Sequence, residues 1–240
     1  MYNNLEAINK ITDKDVSIKE IKDYSFAKTQ MNSPITISEF YESCKDYPIF
    51  FVKDANNSWM ATVMLGYKEK ENTFVDEKGT WAKHKYIPAH IRRYPFIFVT
   101  DNKSSQLTLG VQKDYKIKTQ KDENRKLFDK DGNNSKFLNG ILGFLNQYQK
   151  DSIETSSFIK QLDEWELLEE KNAKVIVSKD EQYNINGFYV VNEEKLKHLS
   201  KKRKEELFNK NAIPLITAHL ISLSNIKLFK TFWNDNYNNE

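Results

Sequence analysis

The sequence has little cysteine, glycine and proline, and these shortages exclude several kinds of site. Its 240 residues include one cysteine, seven glycines and five prolines. Because Cys44 is the only thiol, neither an intramolecular disulfide nor a thiolate zinc cluster can form, which is consistent with a reducing compartment. Few glycines leave little room for phosphate-cradling loops, and no glycine-rich motif of nucleotide-binding proteins or serine hydrolases is present. We therefore find no complete catalytic motif and expect no cofactor.

A strong excess of charge of one sign is also missing. The 37 basic and 34 acidic residues leave a net charge of +3, which is spread along the chain. The densest basic run, 201–204, is followed by Glu205 and Glu206, which at helical spacing can pair with Lys201 and Lys202. This pattern predicts a solvated helix face, and we expect no nucleic-acid partner.

Long apolar runs are absent as well. The least polar stretch is 212–229, and it contains Pro214, His219 and Lys227, which are costly in hydrocarbon. We interpret it as a buried core helix, with a helix on a membrane surface as the alternative. Residues Met1–Glu20 lack the apolar region of a secretory signal. We predict no transmembrane segment, no classical secretion and a cytoplasmic location.

The first half of the chain carries the patterns of antiparallel strands. Ile49–Val52 and Trp59–Leu65 are β-rich runs separated by turn-forming residues 54–57, which is typical of a β-hairpin. Two more such runs, Pro95–Val99 and Gln106–Leu109, are separated by a polar loop. This half is therefore predicted to be mainly antiparallel β.

After Gly132 the hydrophobic period becomes helical. One apolar stripe runs from Phe137 to Tyr148 and another from Phe158 to Trp165, which predicts two amphipathic helices. The later predicted elements are strands at Val175–Val177 and Ile185–Val191 and helices at Glu193–Leu199, Lys201–Asn211 and Ile213–Phe232. The predicted helix N-caps are Ser38, Ser135 and Ser200.

Together these patterns predict an α+β fold, in which a mainly antiparallel β N-terminal half packs with a helical C-terminal half. Residues 1–34 show no sustained hydrophobic period, and we interpret them as a partly ordered arm that precedes a single domain at 35–233. The polar stretch 112–124 is the candidate for a mobile connection that divides this domain into two lobes. Residues 234–240 form a polar tail that we expect to fray.

His90, Arg92 and Arg93 form the sharpest chemical cluster in the sequence. Two guanidinium groups can hold a carboxylate or phosphate, while a nearby imidazole gives or takes a proton. Arg92 and Arg93 are thus anion-binding candidates, and His90 is a candidate catalytic residue. In the alternative interpretation, one arginine ties a strand end to a buried carboxylate of the protein itself.

His219 is the second candidate catalytic residue. Leu215 and Leu223 lie on its face of the apolar final helix, so a hydrogen-bonded core histidine is the alternative to a ligand. No metal site is predicted, because the histidines lack metal-binding spacing. Asp129–Asn134 superficially resembles an EF-hand loop, but its glycine is at the fourth position, so we predict a tight turn.

Several segments resemble, in the same order, the blocks of one family. The most distinctive runs from Tyr86 to Phe96 and reads Tyr-Ile-Pro-Ala-His-Ile-Arg-Arg-Tyr-Pro-Phe. The others are Tyr47–Ile49 with Phe51–Asp54, Leu127–Gly132, Gly187–Leu196 and Ala218–Asn225. On these blocks the chain resembles the SapC family of S-layer-associated bacterial proteins. It departs from the family at Asn192, where an acidic residue is common, and in the Lys-rich segment after Leu109.

The resemblance implies a connection with S-layer transport, but no established chemistry or residue-level mechanism. We therefore expect a non-enzymatic accessory protein that binds a protein or peptide, such as an S-layer or export component. The competing hypothesis is an enzyme or small-ligand binder that acts on an anionic substrate through His90, Arg92 and Arg93. That hypothesis requires these side chains to converge on a concave, water-accessible pocket.

Overall fold

A computed structural model describes residues 1–100, 107–118, 125–176 and 182–227. The strands are β1 (Leu5–Ala7), β2 (Val16–Ile18), β3 (Asn32–Ile35), β4 (Ile49–Lys53), β5 (Trp59–Met64), β6 (Phe96–Thr100), β7 (Leu107–Gln112), β8 (Lys116–Lys118), β9 (Leu168–Ile176) and β10 (Gln182–Val191). The helices are α1 (Phe40–Ser43), α2 (Ala89–Arg92), α3 (Lys136–Glu164), α4 (Glu193–Lys197), α5 (Lys201–Asn209) and α6 (Ala212–Ser222). Antiparallel sheets in the first half and helices in the second confirm the predicted α+β fold.

The larger sheet has five antiparallel strands in the order β3-β5-β4-β10-β9. β4 and β5 form the predicted hairpin, in which Phe51 is opposite Ala61, and Asn57 near its tip has a left-handed φ of 60°. β10 pairs with β4 only where Tyr189 meets Phe51, but it pairs with β9 along most of its length. Among the described strands, β9 therefore forms one edge of this sheet.

A smaller sheet has the order β1-β7-β6 and contains the second predicted hairpin, β6–β7. β1 pairs with β7, and β2 pairs with β8 in a separate two-stranded ladder. Residues 1–35 thus contribute one strand to each of these two ladders and β3 to the larger sheet.

The proposed domain boundaries stay predictions. Within the predicted connection 112–124, residues 112–118 form the end of β7, a 3₁₀ turn and β8. Residues 119–124 and the predicted tail at 234–240 lie outside the described residues.

Lys136–Glu164 form one helix of 29 residues, so the prediction of two separate helices is wrong. Ser135 caps its start as predicted, because its hydroxyl accepts the Leu138 N–H at 3.0 Å. Between the two apolar stripes the sequence is polar but contains no glycine or proline, so nothing breaks the helix. There the hydroxyls of Ser152 and Thr155 donate to carbonyl oxygens four residues earlier, at 2.7 and 2.5 Å.

The two stripes of α3 pack into two different hydrophobic clusters. Leu138 and Leu145, in its first half, pack with Phe96 of the smaller sheet. Ile159 and Leu162, in its second half, belong to the larger cluster that includes the five-stranded sheet. The polar middle of α3 therefore lies at the junction of the two clusters, and the candidate site forms there.

The C-terminal helices α4, α5 and α6 follow the predicted order. Ser200 caps α5 as predicted, with its hydroxyl 3.4 Å from the Arg203 nitrogen. α6 ends at Ser222, where a 3₁₀ turn at Leu223–Asn225 follows it, and the Asn225 amide donates to the carbonyl oxygens of Cys44 and Tyr47. The last part of the predicted helix, 228–232, lies outside the described residues. In the described part of the chain, no helix combines the length and apolar character needed to cross a bilayer.

Candidate functional site

The motif at Tyr86–Phe96 folds around the short helix α2. Pro88 precedes the helix with φ −53° and ψ 142°, because its ring restricts φ to values compatible with a helix start. Three residues apart on this single turn, His90 and Arg93 share one face. Arg92, which lies between them in sequence, makes different contacts.

A buried carboxylate, Glu39, holds the start of α2. Glu39 is 4% exposed, and its Oε1 accepts the Ala89 N–H at 2.7 Å and the Tyr86 hydroxyl at 3.0 Å. Its Oε2 accepts the Thr36 N–H at 2.9 Å and the Thr36 hydroxyl at 3.1 Å. Four donors therefore compensate for the loss of hydration of this carboxylate.

Thr36 and Glu39 form a capping box at the 3₁₀ turn Ile37–Glu39, directly before α1. The prediction of Ser38 as the N-cap is therefore wrong. The Ser38 hydroxyl instead donates to the Asp151 carboxylate of α3 at 2.8 Å, which helps to fix the turn against the middle of that helix.

The guanidinium group of Arg92 is engaged by the protein itself. Its Nε donates to the Ile87 carbonyl oxygen at 2.9 Å, and an Nη donates to the Tyr86 hydroxyl at 3.1 Å. Burial and the charge of Glu39 raise the Tyr86 pKa to about 12, so this hydroxyl stays protonated and donates to Glu39. Arg92 is thus linked to the buried carboxylate of Glu39 through the Tyr86 hydroxyl. This arrangement resembles the alternative interpretation of the cluster, in which one arginine is held by a buried carboxylate of the protein itself.

His90 and Arg93, unlike Arg92, line a cavity of about 240 Å³. The polar part of the lining comes from α2 and its end and from the middle of α3, and consists of His90, Arg93, Tyr148, Ser152 and Thr155. The apolar part comes from β3 and β5 and consists of Pro34, Ile35, Met60 and Ala61. The cavity therefore brings together two of the three residues of the predicted cluster.

Arg93 places a positive charge at this cavity without a carboxylate partner among the described residues. Its Cζ lies 5.1 Å from the centre of the Tyr148 ring, in a cation–π arrangement. Its Nε is buried and donates to no acceptor in the described part of the chain. A buried donor without an acceptor costs about 1–3 kcal/mol. The guanidinium also forms a hydrogen bond with the Tyr2 side chain.

His90 is neutral in this environment. Burial, and secondarily the charge of Arg93, lower the His90 pKa to about 3. The His90 Nδ1 lies 3.3 Å from the Tyr148 hydroxyl, and burial raises the pKa of that tyrosine. At neutral pH the pair therefore consists of an uncharged imidazole and a protonated phenol.

His219 does not line this cavity. It is fully buried, its Nε2 accepts the Val191 N–H at 3.1 Å, and its Nδ1 therefore donates to the Ile49 carbonyl oxygen at 3.0 Å. Since Val191 belongs to β10 and Ile49 to β4, the imidazole connects two strands that share only one backbone pair. Burial lowers its pKa to about 3, and its ring stacks on Phe51 with centroids 4.5 Å apart. These contacts are those of a core histidine.

The family model described as SapC matches residues 8–228. The chain belongs to the SapC family. The matched range includes both hydrophobic clusters and the cavity at their junction. No curated protein and no solved structure matches the chain.

This SapC-family protein has a second, larger cavity of about 310 Å³. The charged residues that line it are Lys22, Lys78, Lys83, Lys85 and Asp23. Lys85 pairs with Asp46 at 3.1 Å, and the other three lysines are exposed. Because exposed lysines keep most of their hydration, the smaller cavity with its half-buried Arg93 is the better candidate for a specific site.

Metal binding finds no support in the described part of this SapC chain, where no group of three or more His, Cys, Asp or Glu side chains could hold an ion. The predicted tight turn at Asp129–Asn134 is confirmed. The Asp129 carboxylate accepts the Asp131 and Asn133 N–H groups at 3.0 and 2.8 Å, and Gly132 has a left-handed φ of 78°.

Sequence reasoning missed Ser152 and Thr155 in the cavity lining, and it missed two residues with a larger part in the site, Glu39 and Tyr148. Glu39 had a signal, since Thr36-x-x-Glu39 before an apolar residue is a capping-box pattern. Tyr148 had none, because it belongs to an apolar helical stripe. Its position opposite His90 follows from the packing of α2 near the middle of α3.

Proposed function

We propose that this SapC-family protein is a non-enzymatic accessory protein of surface-layer transport or biogenesis, which acts in the cytoplasm by binding a protein or peptide. Family membership supports the connection with surface layers. In this proposal the cavity that contains Arg93 receives an anionic group of the partner.

The observation that carries the binding role is the position of Arg93, a cation that lines the cavity and has no carboxylate partner among the described residues. A half-buried guanidinium that lines a cavity gains charge-assisted hydrogen bonds when an anion enters. Arginine side chains that are pre-positioned by packing also lose little conformational entropy on binding. Tyr148 provides that packing through its ring.

The same cavity favours binding over acid–base catalysis. A general acid or base works best when its pKa is close to the operating pH, whereas the His90 pKa of about 3 leaves the imidazole a weak base. The raised pKa of Tyr148 makes the phenol a weak acid. Glu39 already accepts four hydrogen bonds, so it has no role as a base.

A native pull-down with the tagged full-length protein tests this proposal. The wild type and Arg92→Gln should recover an S-layer or export component, whereas Arg93→Gln should recover at least about tenfold less. Arg92→Gln is the matched control, because it removes the same charge from the neighbouring residue without altering the cavity lining. Recovery of no S-layer or export component by the wild type would contradict the proposal.

The second candidate function is an enzyme or small-ligand binder for an anionic substrate. It is favoured by one observation, the shared cavity of His90 and Arg93. In that case His90→Gln should abolish turnover of the substrate while leaving its binding nearly intact. For an accessory protein, the same variant should change partner recovery only modestly.

A further inference from the structure

We infer that the cavity recognises a single carboxylate group joined to a small apolar group, in preference to a phosphate. This inference rests on the proposed function, because it identifies the chemical class of the group that the same cavity receives.

The charge of the lining fits a monoanion. Arg93 is the one lining residue whose side chain is charged at neutral pH, because His90 and Tyr148 are both uncharged there. The amino terminus of Met1 adds a positive charge near His90. A carboxylate balances the charge of Arg93. A phosphate carries about 1.5 to 2 negative charges at neutral pH, and the part that Arg93 does not balance would lie in a partly buried site near the carboxylate of Glu39.

The available donors also match the two oxygens of a carboxylate. The hydroxyl protons of Ser152 and Thr155 are used in bonds to carbonyl oxygens of α3. His90 and Tyr148 have one N–H and one O–H between them at neutral pH. The His90 Nδ1 and the Tyr148 hydroxyl are 3.3 Å apart, and one of them donates to the other. If the hydroxyl donates, the Nε2–H of His90 stays available, and if Nδ1 donates, the hydroxyl proton of Tyr148 stays available. Together with the guanidinium of Arg93, this proton gives the cavity donors for both oxygens of a carboxylate.

The opposite wall of the cavity is apolar. Ile35 and Ala61 are paired across β3 and β5 and are 3% and 0% exposed. Pro34 and Met60 line the cavity beside them and are partly exposed. A hydrated phosphate gains nothing from this wall, whereas a short aliphatic group attached to a carboxylate contacts the exposed parts of Pro34 and Met60 while the carboxylate reaches Arg93.

Two sources can supply this chemistry, the C-terminal residue of a peptide and a free short-chain carboxylic acid. Titration calorimetry of the full-length protein distinguishes them with four probes. The probes are a tetrapeptide that ends in valine, the same peptide with an amidated C-terminus, isobutyrate and inorganic phosphate. If only the free-acid peptide binds, the ligand is the C-terminal residue of a peptide. If isobutyrate binds with similar affinity, the cavity accepts short-chain carboxylic acids in general.

We expect inorganic phosphate and the amidated peptide to bind at least about tenfold more weakly than the best carboxylate probe. Arg93→Gln should weaken carboxylate binding by a similar factor, while Arg92→Gln should leave it within about twofold. Arg93→Lys, which keeps the charge but lacks the planar guanidinium group, should lie between them. Unchanged circular dichroism of each variant verifies that it is folded.

Equal or tighter binding of phosphate, equal binding of the amidated peptide, or full binding by Arg93→Gln would each overturn the inference. Failure of every probe to bind would overturn it as well. The pull-down tests the proposed function separately. If the wild type recovers a surface-layer or export component and Arg93→Gln does not, the proposed function is supported even when no probe binds. If the wild type recovers no such component, the proposed function is contradicted.

Discussion

Glu39 stabilises the protein through the chemistry of its side chain. All of its hydrogen-bond partners, which belong to Thr36, Tyr86 and Ala89, are donors. A glutamine has nearly the same shape, but its NH₂ group would face donors instead of acceptors. The carboxylate itself is therefore required where the turn before α1 meets the start of α2.

We predict that Glu39→Gln lowers the free energy of unfolding by about 2–4 kcal/mol, because buried donors lose their acceptor. Urea unfolding followed by circular dichroism measures this change. Glu42→Gln is the matched control at an exposed position that pairs with Lys45, and it should change stability by less than about 0.5 kcal/mol. Equal effects of the two substitutions would show that Glu39 does not hold α2.

His90 and His219 couple stability to pH in the same direction. The pKa of each is lowered from 6.5 to about 3 in the folded protein. Between these values the unfolded chain binds more protons than the folded chain, so stability rises with pH. The contribution of each neutral histidine to the free energy of unfolding is fully present above about pH 6.5. It declines by up to about 1.4 kcal/mol per pH unit as the pH falls toward 3.

We predict that His90→Gln flattens this dependence, because glutamine stays neutral at every pH in the window. The slope of unfolding free energy between pH 6 and pH 4 should decrease by about 1 kcal/mol per pH unit, measured by urea unfolding at several pH values. His198→Gln, at an exposed histidine, should keep the wild-type slope. A wild-type slope in His90→Gln would show that His90 is not held in its neutral form.

At the scale of elements, α3 determines the position of the candidate site. Ile153 lies in its polar middle and is 65% exposed, so its side chain contributes little to the core. We predict that Ile153→Pro lowers stability by about 3 kcal/mol or more, because proline removes a backbone hydrogen bond and clashes with the preceding turn. Urea unfolding compares it with Ile153→Ala, for which we expect a change below about 1 kcal/mol. Similar stability of the two variants would contradict a continuous helix.

Local sequence patterns were sufficient for the hairpins but not for this helix. The β4–β5 and β6–β7 hairpins were predictable because alternation and turn residues act over a few positions. The continuity of α3 was not, because a polar stretch looks the same in a loop as in a helix at the junction of two clusters. A prediction from polarity alone therefore placed a break between Tyr148 and Phe158.

The candidate site shows the same limit. Helical spacing placed His90 and Arg93 on one face, and that part was predictable. The contacts of Arg92 with Tyr86, and the position of Tyr148, depend on tertiary packing between distant segments. No spacing in the sequence encodes those contacts.

At the scale of the whole molecule, α3 packs into both hydrophobic clusters, and we therefore expect them to unfold as one cooperative unit. Trp59 and Trp81 are buried in the larger cluster, so tryptophan fluorescence reports mainly on that cluster, while far-UV circular dichroism reports on both. We predict that urea unfolding followed by the two signals gives coincident transitions. Separate transitions would instead support the division of the chain near 112–124.

The edge strand β9 bears on how copies of the protein behave in concentrated solution. Glu169 and Lys171 pair at 2.8 Å along it, and Glu170 and Lys174 are exposed. An unpaired strand edge is a template for addition of another strand, and charged side chains are a common defence against it. Docking of two such edges would require these charges to be desolvated, so β9 resists aggregation by continuation of the sheet from one molecule into the next.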